Sequence, residues 1–361
     1  MAGTELFEGR PPRAVIVGTG LIGGSIGLGL RRFGWHVTGR DSDSAAETLA
    51  LELGALDQIG HDPEADLTFV ATPVGGISKE IERALVETAG LVTDVGSVKT
   101  PMLDLMSNAR YVGGHPMAGS ELEGVAGARA ELFEGATWVL TPTVETDDHA
   151  LNTVRSVITM LGADVVSLSP DRHDAMVALV SHVPHLTAAT LMKLADERST
   201  EQRALLRLAA GGFRDMTRVA AGHPGIWPDI CAENRTAIVE ELDQLIAALS
   251  EMRAVVEKGD RDDLVGLLER ARQARMAMPA RFARPDELSE IRVPIPDRTG
   301  VLAEITTLAT ELDVSIADIE IAHSAEGREG VLIVLVESDL GDRFSEGLTA
   351  AGFKPSMRRL Q

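Results

Sequence analysis

Arg13-Ala-Val-Ile-Val-Gly-Thr-Gly-Leu-Ile-Gly-Gly-Ser25 is the stretch whose reading decides the fold. Arg13 to Val17 is a short β-branched run suited to a buried strand. Gly18-x-Gly20-x-x-Gly23 follows at once, and an apolar helical pattern runs from Leu21 to Leu30. Strand, glycine turn and helix in that order predict a dinucleotide-binding βα unit. Gly18 allows the sharp bend, Gly20 lets backbone approach a pyrophosphate, and Gly23 lets the helix pack closely. The pyrophosphate would sit on the unpaired N–H groups of the helix N-terminus. The same glycines could also serve a tight turn with no ligand.

At 361 residues the chain has material for two or three domains. No apolar run reads as long enough to span a bilayer. Arg10-Pro-Pro-Arg13 leads straight into the first strand, so no signal peptide is expected. Cys231 is the only cysteine, which excludes an intrachain disulfide and fits a cytoplasmic protein. The net charge of −21 argues against nucleic acid and anionic membrane as partners. It also means that a site for an anionic substrate must concentrate positive charge against the field of the whole protein.

Trp35 to Gly39 reads as a second strand, with Asp41 at its end. A carboxylate there accepts hydrogen bonds from ribose hydroxyls and repels a 2′-phosphate, favouring NAD. Arg40 blurs the preference, because an arginine beside the ribose can accommodate that phosphate. Asp41 could equally cap a helix. Further strands are expected at Leu67–Ala71, Leu91–Asp94, Thr137–Leu140 and Asp164–Leu168, with helices from Ile77 and over Ala150–Leu161. This alternation implies a parallel, doubly wound α/β sheet over residues 12–168, with ligands at the carboxyl ends of its strands. Thr72, Ser97 and His115 each follow a predicted strand and could face one crevice. The cofactor site so read comprises Gly18, Gly20, Leu21, Ile22, Gly23, Asp41, Thr72 and Pro73. His115, in what reads as a rigid loop between Gly114 and Pro116, is the acid/base candidate. Ser97 could cap a helix or bond a ligand.

Strand signals stop from about Ser169 to Arg281, where apolar residues recur at helical spacing. Residues 169–281 therefore read as an all-α domain whose helices pack on each other and on a second chain. Asp171-Arg-His-Asp174, Ser181-His-Val-Pro-His185 and Gly211-Gly-Phe-Arg-Asp-Met-Thr-Arg218 look chemical, with Trp227 and Glu233-Asn-Arg235 beyond. Pro184 suits the first turn of a long helix. His182 and His185 have a spacing that metals use, but no cysteine or clear third ligand accompanies them, and no metal is assigned. Arg218 lies in a stretch of small and apolar residues and needs a carboxylate, from a substrate or from the fold itself.

Three segments in order, Gly18–Ser25, Asp94-Val-Gly-Ser-Val-Lys99 and Gly114-His-Pro-Met-Ala-Gly-Ser-Glu121, resemble the prephenate dehydrogenase family of tyrosine biosynthesis. The resemblance covers roughly residues 13–285. It implies NAD-dependent oxidative decarboxylation of prephenate, with His115 and Ser97 catalytic. It further implies substrate contacts from Arg218, Glu121, Ser120, His173, His182 and Trp227, and a homodimer built on the helical domain. Arogenate is the rival substrate. A β-hydroxyacid dehydrogenase would need a catalytic lysine that cannot be placed here. A non-catalytic sensor of NAD and an amino acid is the rival of another class. With the chain starting almost on the first strand, no chorismate mutase activity is expected.

Pro279 to Leu288 reads as a linker. The β-α-β-β-α order of residues 290–361 is that of a ferredoxin-like unit. Asp297-x-x-Gly300-Val-Leu, with Val314-Ser-Ile-Ala-Asp318 downstream, resembles an ACT domain, although Thr299 stands where that family often has proline. The resemblance implies a regulatory amino-acid ligand such as tyrosine; a unit that only assists assembly is the alternative.

Overall fold

The computed structural model describes residues 10–119, 122, 124–199, 209–277, 288–296, 298–323 and 329–359. They fall into two compact units, one of Met1–Glu197 with Thr217–Glu251, the other of Arg198–Met216 with Met252–Gln361.

In the first unit the opening run is β1 (Arg13–Val17), followed by α1 (Leu21–Arg32). Then come β2 (His36–Arg40), α2 (Ser44–Glu52), the short β3 (Gln58–Ile59), β4 (Leu67–Val70), α3 (Val74–Glu87) and β5 (Leu91–Asp94). The sheet closes with β6 (Tyr111–Pro116), β7 (Thr137–Thr141), α4 (Asp148–Met160) and β8 (Asp164–Ser167). Eight strands form one sheet in the order β3-β2-β1-β4-β5-β6-β7-β8. Helix α3 begins at Val74, one turn earlier than expected, because Pro73 supplies its N-cap position.

The sheet is not wholly parallel as expected: β6 and β7 run antiparallel, with His115 opposite Val139. Only 3₁₀ turns, Val125–Gly127 and Ala130–Phe133, connect these strands among the described residues, so β7 returns beside β6 without a crossover helix. His115 therefore sits inside a strand, not in the loop that the glycine- and proline-rich sequence implied. The core beneath holds Ile26, Leu30, Phe69, Phe133 and Trp138, each fully buried. Each such side chain stabilises the unit by roughly 1.5–3 kcal/mol relative to exposure.

The helical part begins with α5 (Pro170–Val177), continues through a π-turn at Ala178–His182 and on into α6 (Val183–Ser199). Pro184 does not start a separate helix. It has no N–H for a carbonyl one turn back, and the ladder widens just before it. By length and composition alone the run Pro170–Arg198 could span a membrane, contrary to the expectation; it contains Asp174, His173, His182 and His185. Next come α7 (Gly211–Thr217), α8 (Trp227–Glu233), α9 (Arg235–Lys258) and α10 (Arg261–Met276). Ala178, Ile230 and Ile238 form a small buried cluster where α8 and α9 meet the π-turn.

In the second unit β9 (Leu288–Pro296), α11 (Val301–Glu311), β10 (Ile316–His323), β11 (Glu329–Glu337), α12 (Ser338–Ala350) and β12 (Ser356–Arg359) complete a β-α-β-β-α-β unit. The sheet is antiparallel, ordered β10-β11-β9-β12. Ile291, Val293 and Ile295 alternate inward from β9 onto Ile305, Phe344 and Leu348 of the two helices. Strand β12 carries no strand signal in the sequence, because Ser-Met-Arg-Arg offers one apolar residue and no alternation. The expected linker lies outside the described residues, except that Leu288 already belongs to β9.

Candidate active site

The cofactor end is built by the three glycines of the opening motif. Gly18 has φ +95, a left-handed conformation that glycine adopts without penalty, and a Cβ on it would stand 2.5 Å from the Ala71 carbonyl oxygen. A Cβ on Gly23 would stand 1.9 Å from the Gly18 carbonyl oxygen. Around Gly20 nothing lies within 4 Å of that position. Gly20 is also the N-cap of α1, and no side chain caps the helix there. An open backbone face at an uncapped helix N-terminus suits a pyrophosphate. Leu21 and Ile22 open α1 and are half-buried.

Asp41 ties this loop to β2. Its Oδ2 accepts hydrogen bonds from the Thr19 N–H at 2.6 Å and the Thr19 hydroxyl at 3.2 Å. It is not the helix cap; Asp43 is, accepting from the Ala45 N–H at 2.9 Å. Thr72 follows β4, and its Oγ1 is buried with no hydrogen-bond partner among the described residues. That orphan beside the glycine loop, with the open face at Gly20, fits a bound dinucleotide.

At the carboxyl ends of β5 and β6 lies a second constellation. Asp94, the last residue of β5, is fully buried. Its carboxylate accepts from the Tyr111 hydroxyl at 2.7 Å, the Gly114 N–H at 3.0 Å and the Gly96 N–H at 2.8 Å, and pairs with the Lys99 ammonium. Lys99 Nζ also donates to the Gly114 carbonyl at 2.6 Å. Asp94 and Lys99 thus hold both backbone polar groups of Gly114, the residue before His115. Burial lowers the Lys99 pKa against the pull of Asp94, and burial first, then Asp94, raises that of Tyr111 well above its ordinary range.

His115 Nδ1 lies 2.8 Å from His173 Nε2, and His173 Nδ1 lies 2.8 Å from Asp174 Oδ1. The Asp174 carboxylate also accepts from the Lys99 N–H at 2.8 Å, the Thr100 N–H at 2.7 Å and the Thr100 hydroxyl. Burial alone would raise the Asp174 pKa; the bonds from His173, Thr100 and Lys99 outweigh it and hold the group below its usual range. An ionised Asp174 fixes the tautomers outward. His173 donates Nδ1–H to it and accepts at Nε2, so His115 donates Nδ1–H and keeps a bare Nε2. Burial, with His173, Lys99 and His182 adding to it, lowers the His115 pKa well below 6.5. At neutral pH His115 is therefore an uncharged base.

His182 lies on the other side of Asp174. Asn234 Nδ2 donates to the Asp174 carbonyl at 2.9 Å and lies 3.2 Å from His182 Nδ1. Burial brings the His182 pKa to about 4 despite the nearby Asp174. The Trp227 ring stacks on His185 at 3.7 Å between centroids and stands edge-on to His182 at 6.1 Å. Among the described residues no group of three metal-ligating side chains occurs.

The structure thus brings His115, His173, His182 and Trp227 into one linked cluster. His173, read as a substrate contact, is completely buried with both nitrogens engaged. Ser97 is half-buried in the turn after β5, and Arg218 is exposed at the head of the 3₁₀ turn Arg218–Ala221. Ser120 and Glu121 lie outside the described residues. Asp94, Lys99, Asp174 and Asn234 lie within the sequence motifs, but the sequence alone marks no role for them. Only Asp94 and Lys99, charges bracketing the small and apolar run Val95–Val98, carry a signal that could have marked them; Asp174 and Asn234 stand among other polar residues.

Known proteins resemble this chain over most of its length. A family model described as "Prephenate dehydrogenase, nucleotide-binding domain" matches residues 26–167, and one described as "Prephenate dehydrogenase, dimerization domain" matches residues 169–270. Prephenate dehydrogenase of Bacillus subtilis is 35% identical over 342 residues, covering 90% of this chain and 92% of the relative. Cyclohexadienyl dehydrogenase of Zymomonas mobilis is 32% identical over 73% of this chain and 94% of its own length. The solved structure of prephenate dehydrogenase from A. aeolicus with hydroxyphenyl propionate and NAD+ superposes with a TM-score of 0.70 at 31% identity, over 75% of this chain and 99% of the other. The arogenate dehydrogenase of Synechocystis gives 0.66 at 31% identity, over 73% and 98%.

Proposed function

The chain belongs to the prephenate dehydrogenase family, and from that membership we propose how its own residues carry out the NAD-dependent oxidation of prephenate. The observation that carries the reading is the chain His115–His173–Asp174, which turns His115 Nδ1 inward and leaves its Nε2 for substrate.

Gly18–Gly23, Asp41, Thr72 and Pro73 would hold NAD, which would supply the hydride acceptor for the ring carbon that bears the hydroxyl. His115 Nε2 takes the proton of that hydroxyl. As the ring carboxylate leaves as carbon dioxide, the electron pair of the broken bond enters the ring and makes it aromatic. The phenoxide then recovers the proton from His115, giving 4-hydroxyphenylpyruvate. His173 and Asp174 are positioning residues: the imidazolium formed on His115 shares its Nδ1 proton with the chain that ends at a carboxylate. Ser97 orients the substrate hydroxyl. Arg218, with Ser120 and Glu121 from the first domain and His182 and Trp227 from the second, holds the side chain and carboxylates of prephenate.

The functional domains in this reading are residues 12–168, 169–281 and 290–361. A homodimer formed through the helical domain is supported by exposed Met176, Leu179, Val180, Val239, Ile246 and Leu249. The ferredoxin-like order of the C-terminal unit supports a regulatory amino-acid site, with tyrosine as the effector. The enzyme works in the cytoplasm.

The test is to supply prephenate or arogenate with NAD and follow reduced nicotinamide by absorbance, with and without tyrosine. Reduction with prephenate, inhibited by tyrosine, is the expected result. Turnover of arogenate alone overturns the substrate assignment, and indifference to tyrosine overturns the effector.

A further inference from the structure

Arg40 ends β2 immediately before Asp41, where a cation could receive the 2′-phosphate of NADP. Its side chain does not lie with the ribose-binding carboxylate. Along β2 successive residues face opposite sides of the sheet. Gly39 faces Leu56, whose Cδ2 is 2.5 Å from where a Cβ would stand. Arg40 therefore projects to the other face, which α3 covers. There its Nη2 lies 2.9 Å from Glu80 Oε2 and 3.6 Å from Glu87 Oε2, two turns apart on α3. The Arg40 side chain is only 16% exposed, and its Nε and Nη2 are buried. The contact with Glu80 is close but not aligned as a hydrogen bond, so it is Coulombic.

The surroundings keep this grip charged. Glu87 accepts from Arg83 Nε at 2.5 Å; that bond and the field of Arg40 outweigh burial and hold its pKa below the usual range. His61 Nδ1 is 3.8 Å from Glu87 Oε2. On the ribose side, Asp41 is fixed by Thr19, and the Asp41 N–H donates to Glu47 Oε1 at 2.8 Å. Four carboxylates, Asp41, Glu47, Glu80 and Glu87, thus stand against two guanidiniums, Arg40 and Arg83. The one cation adjacent in sequence to the ribose carboxylate is already engaged, and the local field stays negative.

We propose that Glu80 and Glu87 are specificity-determining residues: by holding Arg40 on α3 they keep it from a 2′-phosphate, and the repulsion from Asp41 goes uncompensated. The proposal rests on the glycine loop and Asp41 being the cofactor site. It predicts that cofactor choice is controlled from a helix that need not touch the cofactor.

The test is direct binding of NAD and NADP to the full chain by titration calorimetry, in wild type, E80Q/E87Q, R40Q and E80Q/E87Q/R40Q. Freeing Arg40 in E80Q/E87Q should tighten NADP binding by about tenfold or more and leave NAD within about twofold. Adding R40Q should return NADP to its wild-type affinity. R40Q alone should leave NADP binding unchanged, because the engaged guanidinium contributes nothing to it; this arm stands even if E80Q/E87Q does not fold. Unchanged NADP affinity in a folded E80Q/E87Q protein, a gain that persists without Arg40, or weaker NADP binding in R40Q would each overturn the proposal. A wild-type chain that fails to bind NAD overturns the cofactor site itself, and the proposal with it.

Discussion

His115 and His173 meet edge to face, with ring centroids 5.0 Å apart and 2.8 Å between Nδ1 of one and Nε2 of the other. Because Asp174 occupies the far nitrogen of His173, this contact sets which nitrogen of His115 is free. The base is thus defined by a residue 59 positions away in the chain, on a different element. That relationship makes the site testable one link at a time.

Replacing His115 itself comes first. His115→Asn should fold and bind NAD but lose turnover by about 10²–10⁴-fold, the usual contribution of a placed acid/base. In the wild type the acid limb of kcat/KM should lie below pH 6.5, since burial disfavours the imidazolium. Near wild-type kcat in the variant, or an acid limb above 6.5, would sink the assignment.

His173→Asn should act on His115 without touching substrate. Loss of orientation should lower kcat by up to about 10²-fold. The acid limb of the pH profile should also move, because the imidazolium of His115 loses the acceptor through which it reaches Asp174. A stability loss without any movement of the pH profile would show His173 to be merely structural.

Stability should fall with acid in a defined window. The folded pKa of His182 is about 4, below its ordinary 6.5, so between these values the unfolded chain binds the extra proton. Stability is therefore full above 6.5 and declines as pH falls towards 4. His182 alone costs up to about 3 kcal/mol, with His115 adding in the same direction. His182→Gln should flatten that decline in denaturant titrations at pH 7 and pH 5; an equal decline in variant and wild type counts against it.

Two glycines should separate folding from cofactor binding. Gly23→Ala sets a methyl 1.9 Å from backbone oxygen and should destabilise the first unit by several kcal/mol, on the order of an overpacked core. Gly20→Ala meets nothing within the protein, so its melting temperature should hold while the KM for NAD rises. Equal effects of both on melting temperature would contradict the open face.

Arg218→Gln should raise the KM for prephenate by about 2–5 kcal/mol in the binding term, with the KM for NAD almost unchanged. If the clamp on substrate is its main role, the melting temperature on the same preparation should stay near that of the wild type. A destabilised protein with an unchanged prephenate KM would leave Arg218 a structural residue.

Local pattern in the chain carried most of the architecture. The β-branched run Arg13–Val17, the glycine turn and the helix after it are near-neighbour effects, and each formed within a residue or two of its expected place. The alternation of β9 and the helical period of α11 were legible for the same reason. His115 was legible as a residue but not in its setting, because an antiparallel β6–β7 pair is a long-range contact that a Gly-His-Pro sequence does not signal. The roles of Asp174, Lys99 and Asn234 required the tertiary structure. A carboxylate becomes an orienting group only when folding buries it among chosen donors, and those of Asp174 are its neighbour His173 and, some 75 positions away in the chain, Lys99 and Thr100. Arg40 makes the same point at the cofactor end: its sequence neighbour is Asp41, but its partners are Glu80 and Glu87, and only the side of the sheet on which it emerges decided between them.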